Sequence, residues 1–397
     1  WNVAIWLAAG LFMTGTAGMA AGPIMPDPKA EARHQPQVEE TANGIPLVNI
    51  TAPSSGGVSR NEYEPFNVPD KGAILNNSYT LSKTELAGYV QGNSNMAERP
   101  AKIIVNEVTG AGPTSMDGFL EVAGNRADVV IANPNGITVN GGGFINTGKA
   151  FLTTGKPVYD GEDHLQRFDI TGGDILIEGK GLGGKETGSL AILSRAVKIN
   201  AGIWAKDLHI TTGANSIDAK TLEASAIEGK GGHPAFALDT AAIGGMYAGR
   251  ITLVGTEKGL GVNNSGTWSA EDNLTLDWNG DLKNSGTIYS KGNTDLRTSR
   301  LENDKTIAAE RNLSAAAKEN IRNQGKLLAG ENMDIYAGKT LDNAGHAMES
   351  GNNLSIETGD TVNNAAGTIK SGGSPVSYTH LTPVSYTHLT LPTKLEV

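Results

Sequence analysis

The sequence predicts an all-β fold, a right-handed parallel β-helix closed by an N-terminal cap, and three observations carry that expectation. Short β-branched or apolar runs alternate with Gly, Asn and Asp turns from Ile45 onward. An Asn-centred motif returns at a spacing near 20 residues between about 264 and 373. Gly is abundant, at 52 of 397 residues, while aromatics make up 5% and charged residues 19%. That balance suits a turn-rich β chain better than helical bundles, which favour Ala, Leu, Glu and Lys.

Taken in order, the chain begins at Trp1 rather than Met, so the expectation is that its first residues are cut short. Val3 to Phe12 is apolar and small residues follow up to Gly18-Met19-Ala20. Residues 1–20 therefore read as a truncated signal peptide. The stretch is too short to span a bilayer, which needs about 20 apolar residues. Residues 21–44 are Pro-rich and polar and read as a leader. The chain has no cysteine, which removes disulfides, thiolate metal sites and cysteine nucleophiles together. An exported chain that crosses a second membrane unfolded gains from that absence, because no disulfide closes on the way. Net charge is −10 with no basic run, so no nucleic-acid partner is expected.

Strand signals follow at Ile103-Ile104-Val105, Val129-Val130-Ile131, Ile137-Thr138-Val139, Asp174 to Ile177, Val197-Lys198-Ile199 and Ile251 to Val254. The best candidate for a helix is Ala315 to Ile321. It falls inside the repeat array of residues 266–373. There Asn264-Ser265-Gly266-Thr267 recurs as Asn284-Ser285-Gly286-Thr287, Asn303-Asp304-Lys305-Thr306 and Asn323-Gln324-Gly325-Lys326, then as Asn343-Ala344-Gly345-His346 and Asn364-Ala365-Ala366-Gly367. The steps are 20, 19, 20, 20 and 21 residues. Leu282, Leu301, Ile321, Leu341 and Val362 stand two positions before the last five motifs. One such unit cannot bury its apolar positions alone, whereas stacked units bury them in a continuous column. Leucine-rich repeats share the length, but their Leu-x-x-Leu-x-Leu pattern and helical half are missing. Coils of a β-helix stack at about 4.8 Å, close enough for Asn side chains to pair at the turns. A degenerate linker would not hold apolar register over five units.

The last 24 residues, 374–397, break this grammar. Pro375 to Thr382 is repeated at once, without change, as Pro383 to Thr390. A perfect tandem octamer beside diverged repeats reads as a non-native tail, set aside from fold reasoning.

Three stretches carry a resemblance to a known family. They are Ser55 to Tyr63 with Phe66-Asn67-Val68, then Ala127 to Ile137 with Val139-Asn140-Gly141 and Leu152 to Gly155, and then Gly245-Met246-Tyr247 with Ile251 to Val254 and Gly259 to Val262. Their order and spacing over about 45–265 resemble the secretion domain of filamentous-haemagglutinin-type exoproteins exported by two-partner secretion. Independently of the family, Asn133-Pro134-Asn135-Gly136 has the favoured residues of a type I turn between two strands, a sharp corner of a coil. The resemblance adds that this motif supports folding and export of the secretion domain, through the corner itself or through contact with the transporter. A second motif of the family falls at Asn93-Ser94-Asn95-Met96, where Ser replaces Pro and Met replaces Leu. The resemblance further implies an outer-membrane β-barrel transporter as partner, secretion through the periplasm to the cell surface, and a host or neighbouring cell bound through regions beyond this stretch.

No other constellation competes. Gly179 to Gly184 has dinucleotide-loop spacing, but no helix opens after it and it reads as a turn. Asp160, Glu162, Asp163 and His164 read as a solvated loop, without calcium-site spacing. The seven histidines are scattered, no nucleophile elbow appears, and neither metal nor cofactor is expected. A β-helical polysaccharide lyase is the enzymatic rival. Asp272, Asp295, Glu310 and Asp334 recur near turns, yet without the basic cluster such chemistry needs. The expectation is therefore a non-enzymatic secretion domain with the first fibre repeats of a large surface exoprotein. The full protein is read as an adhesin, with a contact-dependent toxin carrier or haemolysin as alternatives.

Overall fold

Residues 22–97 and 99–373, with the backbone of Ser377–Thr379, are described by a computed structural model. The signal peptide expected at 1–20 and most of the tail expected at 374–397 lie outside the described residues.

Each repeat folds as one rung of three short strands separated by tight corners. Leu282–Asn284, Thr287–Ser290 and Thr294–Thr298 form one rung, and Leu301–Asn303, Thr306–Ala309 and Leu313–Ala317 form the next. Side chains alternate across a strand, so Leu274, Leu276 and Trp278 point inward while Thr275 and Asp277 point out. The rungs pair in parallel with residues one repeat away: Leu282 lies opposite Leu301, Leu301 opposite Ile321, Ile321 opposite Leu341, and Leu341 opposite Val362. These five residues are buried in one column. Trp268, Ile288, Ile307, Leu327, Met348 and Ile369 form a second column from the middle strands. Full burial of one such side chain is worth about 1.5–3 kcal/mol. One face of the molecule is an 11-stranded parallel sheet running from Thr114–Met116 to Val362–Asn363; the other two are joined in a 26-stranded sheet.

The helix expected from Ala315 to Ile321 is not formed. Leu313–Ala317 is a strand, the chain turns a corner, and Ile321–Asn323 is the first strand of the next rung. Ala315 and Ala317 face the interior, and stacking on the rungs above and below outweighs their intrinsic helix propensity.

From Gly22 onward the segment read as a leader forms short strands. Ile24–Pro26 pairs antiparallel with Val58–Phe66, and Gln37–Glu40 pairs antiparallel with Pro46–Asn49, which in turn pairs with Ala73–Asn77. These strands cap the open end of the coil. Proline cannot donate to a ladder and is tolerated at such edges, so a Pro-rich composition is compatible with a cap.

Two insertions cover outward-facing apolar residues. Lys156–Tyr159, Leu165–Ile170, Asn215–Asp218 and Ala224–Ala226 form a four-stranded antiparallel sheet. Its Phe168, Ile170 and Ile217 pack on Val105, Val130, Phe151 and Ala191 of the coil. A hairpin of Ser82–Thr84 and Gly88–Val90 shelters Ile45, Leu47 and Ile74.

The loop at 160–164 is exposed at Asp160, Gly161 and Glu162, as expected, but docks on the cap through Asp163. Asp163 is 2.8 Å from Arg33 and 3.6 Å from His34, whose other ring nitrogen is 3.1 Å from Glu62. Arg60 reaches Glu62 at 2.8 Å and Glu107 at 3.4 Å, with its guanidinium 4.4 Å from the centre of the Tyr159 ring. Burial pushes the Glu107 carboxyl above the usual carboxylate range, against a partial pull downward from Arg60. A carboxyl raised in the folded state contributes stability that is fully present below its unfolded pKa, about 4.3. That contribution is lost as pH rises through the folded value. Glu107→Gln is therefore expected to gain stability relative to the parent as pH climbs. Urea midpoints at acid and neutral pH check this, and a constant difference between the two chains would refute it.

Candidate functional site: the asparagine corners

The strand Ala127–Ala132 ends at Asn133, which is completely buried. Its backbone N–H donates to the Thr153 carbonyl at 2.9 Å, and its own carbonyl accepts the Gly136 N–H at 3.1 Å, closing the four-residue turn. The Asn133 Oδ1 accepts the Asn135 backbone N–H at 2.9 Å, the self-templating turn that asparagine favours. Its Nδ2 donates to the Gly112 carbonyl at 2.9 Å and to Thr114 Oγ1 at 3.0 Å. Asn135 is exposed, and its Nδ2 donates to the Gly110 carbonyl at 2.8 Å and to Asn133 Oδ1 at 2.9 Å. Pro134, also exposed, has no N–H to satisfy. Gly136 has φ +111°, and a Cβ there would lie 3.0 Å from the Asp174 carbonyl oxygen of the neighbouring rung. Both polar atoms of the Asn133 side chain are thus used, Oδ1 to hold its own turn and Nδ2 to bind that turn to the chain that enters an adjacent rung.

Asn93-Ser94-Asn95-Met96 repeats the design. Asn93 is buried, its Oδ1 accepts the Asn95 N–H at 3.0 Å, and its Nδ2 donates to the carbonyls of Ile50 and Asn76, both at 2.9 Å. Asn95 Nδ2 also reaches the Ile50 carbonyl, at 3.1 Å. The Met96 N–H closes the turn on the Asn93 carbonyl at 3.2 Å, and the Met96 side chain plugs the core. Ser94 is exposed, so the loss of proline removes preorganisation without removing a bond. The two motifs anchor to different parts of the chain, one to residues 50 and 76, the other to 110–114.

The six repeat asparagines form a buried ladder. Nδ2 of Asn264 donates to Oδ1 of Asn284, and the same bond runs from Asn284 to Asn303 and from Asn303 to Asn323, each at 2.8 Å. It continues from Asn323 to Asn343 and from Asn343 to Asn364 at 2.7 Å. A second ladder, which the sequence motifs do not single out, lies at the corner before the longest strand. Oδ1 of Asn273 accepts the Asn293 backbone N–H at 2.8 Å. Asn312 Nδ2 donates to Asn293 Oδ1, and Asn332 Nδ2 to Asn312 Oδ1, both at 2.9 Å. Asn353 Nδ2 donates to Asn332 Oδ1 at 3.1 Å. Its signal is present in the sequence: Asn273, Asn293, Asn312, Asn332 and Asn353 keep the same stride as the first ladder. The Gly-rich stretch at 179–184 is a turn, closed by the Gly181 N–H on the Glu178 carbonyl at 2.9 Å, leading into Leu182–Gly184. Among the described residues, no three His, Asp or Glu side chains converge as a metal set would.

Comparison with known proteins agrees with this geometry. The profile of the TPS secretion domain matches residues 23–288, and that of the haemagglutinin repeat matches 289–345 and 334–374. The match begins within the segment read as leader, in keeping with the folded cap. Toxin CdiA of Yersinia pestis is 41% identical over 298 residues, covering 69% of this chain and 9% of the toxin. The 16S rRNA endonuclease CdiA of Enterobacter cloacae subsp. cloacae is 40% identical over 334 residues, covering 77% of this chain and 10% of that protein. The chain thus spans about a tenth of the length of these curated relatives. The crystal structure of a filamentous haemagglutinin secretion domain superposes with a TM-score of 0.58 at 28% identity, covering 90% of this chain and all of that one. With its capped coil, its asparagine corners and a profile match over most of its length, the chain belongs to the TPS secretion domain family, continued by haemagglutinin repeats.

Proposed function

We propose that this chain is the export-directing N-terminal portion, with the first fibre rungs, of a much larger surface exoprotein. It enters the periplasm, is recognised by an outer-membrane β-barrel transporter of the two-partner type, and crosses unfolded. Outside the cell the secretion domain folds first and offers each emerging rung a surface to stack on. The observation that carries this reading is the unbroken parallel register from the capped coil to the last described rung, in which the backbone ladder of each rung joins it to its neighbours. Nearest-neighbour contacts let folding propagate along the chain, and the free energy released by burial draws further chain outward. The segment works as a structural element and template, not as a catalyst. No cofactor enters this scheme.

For the whole protein, the relatives favour a toxin carrier over the adhesin that the repeats alone suggest. The 41% identity to Toxin CdiA exceeds the 28% to the haemagglutinin structure, and other relatives bear names such as tRNA nuclease CdiA. Any toxic activity, and any contact with a target cell, would reside beyond this stretch. The test is export from cells that make or lack the partner transporter. Removal of 23–288 should abolish protease-accessible chain at the surface, and removal of 289–373 should leave it. The reverse pattern, or export that ignores the transporter, would refute the proposal.

A further inference from the structure

The features that hold the rungs together do not say which rung belongs on which. Asn264 would bond to Asn303 as well as to Asn284, and Leu282 would pack on Ile321 as well as on Leu301. Looping out a whole rung is a modest entropic cost, since loop closure grows only slowly with length. Something else has to specify the order.

Charged side chains on the outside of the repeat array have the needed property. On the short-strand face, Lys283 lies opposite Glu302, Glu302 opposite Arg322, and Arg322 opposite Asp342. At one corner Glu271, Lys291 and Glu310 succeed one another on adjacent rungs, with Lys291 paired to Glu271. At another corner the sequence is Glu319, Lys339 and Asp360, with 3.6 Å between Lys339 and Glu319. In each column the sign alternates, so neighbouring rungs attract and rungs two apart carry like charge. Omitting the rung 282–298 would set Glu271 on Glu310. Omitting 301–317 would set Lys283 on Arg322, and omitting 321–337 would set Glu302 on Asp342. The side chains are too exposed to contribute much stability, at 52% for Lys283 and 45% for Glu302. Their consistent alternation is what discriminates. Near the cap, where no repeated ladder invites a wrong stack, Glu62 lies opposite Glu107 and Arg60 sits between them.

We infer that these alternating charge columns are specificity determinants for rung order: they penalise stacks that skip one of the three rungs between 282 and 337, which the asparagine ladders and apolar columns cannot do. The inference rests on the rung-by-rung folding proposed above. It turns on like charges set directly opposite one another being destabilising where opposite charges attract.

The test uses the whole 397-residue chain, which has no native cysteine, refolded from urea in a thiol–disulfide buffer. Thr287, Thr306 and Lys326 are stacked in that order on successive rungs. Adjacent strands lie about 4.8 Å apart. A disulfide needs Cα atoms about 4.4–6.8 Å apart, so Thr287→Cys with Thr306→Cys reports the native stack, and Thr287→Cys with Lys326→Cys forms a bond only when a rung is skipped. Adding Arg322→Glu makes the native neighbour repel and the skipped one attract, and should raise the skipped-rung disulfide on the order of tenfold. Inverting the column with Lys283→Glu, Glu302→Lys, Arg322→Glu and Asp342→Lys restores alternation and should return it to background. If Arg322→Glu prevents folding altogether, Asp342→Lys with Thr306→Cys and Ala347→Cys repeats the test one rung on. A skipped-rung signal unchanged by the single variants, or raised equally by the inverted column, overturns the inference. Failure of the native reporter in every background would instead overturn rung-by-rung stacking itself.

Discussion

Replacing Asn303 by alanine is expected to cost about 2–4 kcal/mol, comparable to an apolar truncation in the same rung. Asn303 is completely buried in the middle of the ladder. Its Nδ2 donates to Asn323 Oδ1 at 2.8 Å and, more weakly, to the carbonyls of Lys305 and Lys326 at 3.2 Å. Its Oδ1 accepts from Asn284 at 2.8 Å. Truncation therefore weakens two further side chains that remain buried, and each unsatisfied buried polar group costs about 1–3 kcal/mol. Asn303→Asp keeps the shape but replaces the donor with an acceptor oxygen facing three acceptors, and at neutral pH it buries an unpaired charge. It should be the worse of the two near neutrality and recover as pH falls and the carboxyl protonates. Because solenoid stability is a sum over neighbouring units, damage at Asn303 should uncouple the rungs on its C-terminal side. Hydrogen exchange should show lost protection from Leu301 to Ser371 with the rungs before Gly261 intact. Equal loss in both halves, or an Asn303→Ala cost below about 1 kcal/mol, a loss no larger than one weakened bond, would show that the ladder is decoration on a stack held by its apolar columns.

How much of this is legible in the sequence depends on whether each feature is local or tertiary. The first ladder is readable because Asn keeps one stride over six units, with an apolar residue two positions before each of the last five. The second has the same stride, but its asparagines are followed by Leu, Thr, Leu, Met and Leu, with changing residues before them, so no fixed tetrapeptide marks it. The cap reads as a leader because Pro23, Pro26 and Pro28 resemble a linker. Only the unpaired edge of Val58–Phe66 makes them a lid, and an edge is a tertiary fact. Asp163 reads as solvated for the same reason: Arg33 and His34 are about 130 residues away in sequence and adjacent only once the coil closes. The corner at Asn133 is legible as a turn, since turn preference is local. Its bonds to Gly112 and Thr114 are not.

Those bonds decide the second large effect. Asn133→Ala is expected to lower export to the surface at least about tenfold, since a loss of about 1.4 kcal/mol in a folding-driven step already produces that factor. The same change should lower the stability of the refolded chain by about 2–4 kcal/mol, because two donor bonds and the turn acceptor vanish from a buried site. Asn135→Ala should also reduce export, but less. That side chain is exposed, and apart from Asn133 its 2.8 Å partner is the Gly110 carbonyl, with Gly112 farther off at 3.5 Å. Pro134→Ala should be milder still, since it removes only preorganisation. This graded order distinguishes the two roles left open for the motif. If the corner acts by locking one rung to its neighbour, export loss follows stability loss across the three variants, and lower temperature rescues Asn133→Ala. If the transporter reads the motif directly, the exposed residues matter most: Asn135→Ala and Pro134→Ala would block export while the purified chains melt like the parent. Asn133 commits both polar atoms of its side chain inside the folded coil, so the corner accounts for the residue type without any contact to the transporter.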